Sequence, residues 1–157
     1  MTSSHWVAIA ALTLLSAGVV CDLRSRTIPD SLSVLLIALG VVATTMRWHE
    51  PGWLHVGGGL VVAFALGAAL FYLGAMGGGD AKLFAGAGAV AGWPCILEVL
   101  FATALCGGVL AFFAKLRGEI SLPYAPAIAA GYAITMSVTW FLPGTYGLWH
   151  LLTGARA

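Results

Sequence analysis

The stretch LHVGGGLVVAFALGAALFYLGA, residues 54–75, runs for twenty-two positions without an Asp, Glu, Lys or Arg. At 1.5 Å per residue a helix of that length covers about 33 Å, enough to cross roughly 30 Å of hydrocarbon. The flanking sequence repeats the theme. Apolar runs at 5–21, 31–48, 54–75, 81–93, 95–114 and 125–142 are separated by breaks that hold Pro29, Pro51, Gly77 to Gly79, Pro94 and Pro123. The run at 81–93 is short and rich in Gly and Ala, and the tail from Gly144 is too short and broken to assign. The expectation is an all-α, polytopic membrane bundle of about six transmembrane helices, one membrane-embedded domain over residues 1–157.

Composition agrees. Of 157 residues, 61% are hydrophobic and 8% charged, where a soluble domain carries roughly 25% charged residues. A net charge of +1 leaves no basic surface able to neutralise several phosphates, so no nucleic acid is expected as a partner; the bilayer is. Cys21, Cys95 and Cys106 form no C-x-x-C pair and read as small packing residues. The four histidines form no H-E-x-x-H motif, and His49 and His55 beside Glu50 make at best a weak metal site, so neither metal nor other cofactor is expected. The first run has no basic residue before it and Arg24 and Arg26 after it, the polarity of a retained N-out span and not of an exported signal. With the 22–30 loop inside, Arg24, Arg26, Lys82, Lys115 and Arg117 fall on the cytoplasmic side, leaving Arg47 and Arg156 outside.

Acidic residues are costly near a membrane, about 2.5 to 3.5 kcal/mol each at its centre, and this chain keeps six. Glu50 and Glu119 fall in polar loops, and Glu98 near the outer end of the fifth run. Asp30, in Pro29-Asp30-Ser31-Leu32, stands where a helix N-cap belongs, and capping suffices for it. Asp22 closes the first run and can be a flanking charge paired with Arg26 at i+4. Asp80 ends Gly77-Gly78-Gly79-Asp80 and can cap the helix that follows. Three consecutive glycines exceed what a cap requires, and they suit either a flexible loop or a cleft where extended peptide lies close to backbone. Asp22 and Asp80 share one predicted membrane depth, and a carboxyl pair can hydrolyse a peptide bond without metal or covalent nucleophile. At about 4 Å and an effective dielectric near 20, their charges would repel by about 4 kcal/mol, so one proton would be shared. No G-x-S-x-G elbow and no phosphate-binding G-x-x-x-x-G-K-[ST] loop is present. The competing reading is a small transporter or channel, which predicts acids strung along a path across the bilayer.

Asp22-Leu23-Arg24-Ser25-Arg26-Thr27-Ile28-Pro29-Asp30, followed by Met76-Gly77-Gly78-Gly79-Asp80-Ala81-Lys82-Leu83, resembles the type IV prepilin peptidases, membrane aspartyl proteases with a G-x-G-D motif. Pro123 to Gly131 is similar to that family's last segment, so the resemblance covers nearly the whole chain in order. It implies a six-helix protease of the bacterial inner membrane that removes the short basic leader of prepilins and pseudopilins at the cytoplasmic face, cutting after a glycine. By motif position the catalytic acids are Asp22 and Asp80, with Asp30 outside the pair; on the cleft reading of the glycine run, Gly77, Gly78 and Gly79 line the substrate. The cytoplasmic insert with two C-x-x-C pairs found in long members is absent from this sequence, which resembles instead the short members serving Tad/Flp-type pili. The resemblance therefore implies a protease without the methyltransferase. The Tyr-Asp and Pro-Ala-Leu motifs of presenilin-like proteases are missing.

Overall fold

A computed structural model describes residues 3–46, 52–117 and 124–141. These form six α-helices: α1 (Ser3–Ser25), α2 (Asp30–Thr45), α3 (Trp53–Tyr72), α4 (Gly78–Ala91), α5 (Cys95–Leu116) and α6 (Ala125–Phe141). Among the described residues there is no strand. Three helices, within His5–Ser25, Trp53–Tyr72 and Cys95–Leu116, are long and apolar enough to cross a membrane, while α2 and α6 are shorter and apolar. The chain is thus a multi-pass helical membrane bundle. Residues 47–51 with His49 and Glu50, residues 118–123 with Glu119 and Pro123, and the tail from Gly144 with Arg156 lie outside the described residues.

The helix with the weakest span signal occupies the centre. Of α4, only Gly78, Gly79 and Lys82 are not fully buried, and it packs against every other helix. Its 14 residues extend about 21 Å, less than the hydrocarbon thickness, because lipid does not surround it; protein does. Large apolar side chains face outward instead on the other helices, among them Leu54, Val61, Phe64, Phe101, Phe112 and Phe141. In water such a surface would aggregate, and in a bilayer it is solvated.

Lipid supplies no hydrophobic drive between helices, so they associate by close contact at small residues. Gly59 on α3 and Gly88 on α4 bring their backbones together, leaving no room for a Cβ on either. Gly40 on α2 faces the Ala89 carbonyl, and Gly131 on α6 is packed directly on Thr103 of α5. The Trp93 N–H donates to the His55 carbonyl at 2.8 Å, tying the α4–α5 connection to the first turn of α3. These contacts make α3 antiparallel and α2 parallel to α4. The ends of α1, α3 and α5 therefore meet the beginnings of α2, α4 and α6 at one end of the bundle.

The seam can be tested with single methyl groups. Gly88→Ala should lower stability in detergent by about 1–3 kcal/mol through overpacking. Gly57→Ala, at a site on α3 with open space around it, should be neutral or stabilise by about 0.5–1 kcal/mol. Thermal unfolding followed by circular dichroism distinguishes them.

Candidate active site

α1 carries Gly18 and Asp22 on one face, four residues apart, and α4 carries Asp80 and Leu83 on one face, three apart. The two helices pack antiparallel with Leu83 against Gly18, where a Cβ would stand 3.1 Å from Leu83 Cδ2. One turn toward the bundle end, this register sets Asp22 opposite Asp80, and the two carboxyl groups interact electrostatically. Both are buried, at 7% and 8% exposure. Burial of this depth rules out the solvated flanking charge that Asp22 could have been. Arg26 makes no ion pair with it. Instead Arg26 adopts φ 51°, its N–H closes on the Asp22 carbonyl at 2.9 Å, and the chain reverses toward α2.

Asp80 does not cap α4. Gly77 is the N-cap residue and makes no side-chain cap, and Asp80 is the third helical residue. From there its carboxyl group lies toward the Gly77 N–H, on the side where the return half of a capping box would form, and toward the N–H of Ala125, the first residue of α6. The starts of two helices thus face one acid. One oxygen of each acid, Oδ2 of Asp22 and Oδ1 of Asp80, is buried with no hydrogen-bond partner among the described residues. Such atoms are expensive in a structure that has no use for them.

The three glycines have separate explanations. A Cβ on Gly77 would stand 2.9 Å from Asp80 Oδ2, so a side chain there would displace the carboxyl group. A Cβ on Gly79 would stand 3.3 Å from that of Ile28, the residue that docks the 27–29 segment onto α4. Gly78 has ordinary clearance, 3.5 Å from the Phe71 ring. Two of the three are therefore accounted for by packing within the chain, while Gly77 also remains exposed at the bundle end.

Asp30 departs from its expected role. The N-cap of α2 is Pro29, no side chain caps that helix, and the Asp30 carboxylate is held by Lys82 Nζ at 2.8 and 2.9 Å. A basic residue read as a topology signal thus has a specific partner. No group of three or more His, Cys, Asp or Glu side chains that could hold a metal occurs among the described residues.

The model of the type IV leader peptidase family matches residues 8–112, about two thirds of the chain and the segment that contains both acids. The chain belongs to that family. It is 29% identical over 152 residues to a prepilin leader peptidase/N-methyltransferase of Legionella pneumophila, a match covering 86% of this chain and 52% of that protein. It is 33% identical over 132 residues to the protein of the same name from Bacillus subtilis, with 79% of this chain and 52% of that protein covered. A Burkholderia pseudomallei protein of that name is 30% identical over 137 residues, with 81% and 43% covered. The chain spans about half the length of these relatives. No solved structure matches it. Membership in the leader peptidase family bears out the resemblance that the paired motifs carry.

Gly77→Ala should push the Asp80 carboxyl group aside by about 0.5 Å or more, the shift needed to restore ordinary contact, whereas Gly78→Ala should leave it in place. Structures of the two variants give the comparison.

Proposed function

We propose that the chain is a membrane aspartyl endopeptidase that removes the leader peptide from prepilin or pseudopilin precursors, with Asp22 and Asp80 as catalytic acids and water as nucleophile. The observation that carries this reading is a pair of buried, interacting carboxyl groups, each with an unpartnered oxygen, at one end of the bundle. The printed names of the relatives supply the substrate class.

In this mechanism the pair works with one proton between its two members, one acting as base and the other as acid. The ionised member takes a proton from water as the water oxygen attacks the scissile carbonyl carbon. The protonated member hydrogen-bonds the carbonyl oxygen as negative charge develops there. Collapse of the tetrahedral intermediate breaks the C–N bond, and a proton passes to the leaving amine, leaving the pair again with one proton. Exposed Gly77, with Gly78 and Gly79 beside it, lets the substrate backbone approach Asp80, and the apolar stretch of the substrate lies against the bundle within the bilayer.

The acids sit at the end of the bundle that carries Arg24, Arg26, Lys82, Lys115 and Arg117, which supports a cytoplasmic-facing site in a bacterial inner membrane. A transporter would need acids along a path through the bilayer; among the described residues Asp22 and Asp80 are the buried charged side chains, and they occupy one depth.

Asp22→Asn and Asp80→Asn should each abolish cleavage, a loss of at least about a hundredfold, with folding intact. The wild-type rate should follow a bell in pH, falling in acid as both carboxyl groups become protonated and no base remains, and in alkali as both ionise and no acid remains. Mass spectrometry of the pilin N-terminus reads both experiments and also detects any added methyl group. Undiminished processing by either variant removes that residue from the mechanism.

A further inference from the structure

Residues 79, 82, 86 and 89 of α4 lie at spacings of three and four and therefore share one face. Each meets the chain between Ile28 and Gly40. Gly79 packs on Ile28, Lys82 pairs with Asp30, Gly86 meets Ser33 and Leu36, and Ala89 meets Gly40. Three of the four are contacts of small residues that fix only distance. The Lys82–Asp30 pair is directional, two short bonds from one ammonium to both oxygens of a carboxylate, at the end of the seam nearest the acids. Lys82 follows Asp80 by two residues, a rotation of about 200° around the helix, so an anchor on the outer side sets the angle at which Asp80 points inward.

We propose that the Asp30–Lys82 pair is a positioning device that fixes the rotation of the first turn of α4 and so holds Asp80 against Asp22. This inference rests on the peptidase reading given above. The side chains of Lys82 and Asp30 are 54% and 70% exposed, and an ion pair that exposed adds little to global stability. Its loss leaves the bundle folded and is felt in the alignment of the acids. Neither residue touches the substrate in this scheme, so binding is preserved while turnover falls.

The experiment compares kcat and KM for cleavage of one full-length prepilin by the intact protein in detergent. Lys82→Met and Asp30→Asn should each lower kcat about tenfold or more, with KM changed less than about twofold and thermal unfolding near wild type. Lys82→Arg, which can still grip a carboxylate with two bonds, should keep about half of the wild-type kcat or more. The double variant Asp30→Asn/Lys82→Met should be no slower than either single variant, because both remove the same contact. Unchanged kcat in either single variant, losses that multiply in the double, or a failure of Lys82→Arg to retain turnover would overturn the positioning role. Asp80→Asn, measured alongside, separates the two readings. If it is inactive while Lys82→Met is fully active, the positioning role alone falls; if it is active, the catalytic reading falls.

Discussion

The architecture turns on holding two carboxyl groups together out of water. A single buried acid is tolerable when it is neutral or well bonded, but a second beside it adds repulsion whenever both ionise. Asp22 and Asp80 are kept in this arrangement by three helices that end at one level: α1 supplies one acid near its C-terminus, α4 the other in its first turn, and α6 the Ala125 N–H at its start. The donors of Gly77 and Ala125 offset part of the cost at Asp80. Displacing any of the three ends by one helical turn, about 5 Å, would leave an acid without its neighbour or its donors.

What fixes those levels is α4. Enclosed on all sides, it cannot adjust its depth against lipid, and its small residues let α2 and α3 approach until backbones touch. The outer helices carry the bulky apolar side chains and the hydrophobic length. Labour is thus divided between a shell matched to the bilayer and a core strut matched to the shell.

Much of this was legible in the sequence. The uncharged run 54–75 predicts α3, found at Trp53–Tyr72, and the remaining five runs likewise correspond to helices. The poorest boundary is the end of α1, expected at 21 and found at Ser25; the start of α4, expected at 81, is found at Gly78. Glycine usually argues against helix, yet Gly78 and Gly79 open this one, and at Gly79 the close approach of Ile28 leaves little room for a larger residue. Asp30 misled for a related reason. Its position after Pro29 suits a cap, but its partner, Lys82, lies fifty-two residues away and leaves no trace in the local pattern. The Ala125 N–H was invisible altogether, since a backbone donor has no side-chain signature; only the likeness of Pro123 to Gly131 to a known family segment marked the neighbourhood. The approach of Asp22 to Asp80 was inferred from equal predicted depth, and the match of Gly18 to Leu83 explains in contacts why depth sufficed.

The backbone contact between Gly59 and Gly88 bears on how such chains diverge. Each position tolerates nothing bulkier unless the other helix retreats, and retreat would carry the acid on α4 with it. Across descendants of a common ancestor, these two sites should therefore resist replacement as stubbornly as the acids do, although neither takes part in any chemistry. Invariance alone would not tell an observer which positions are spacers.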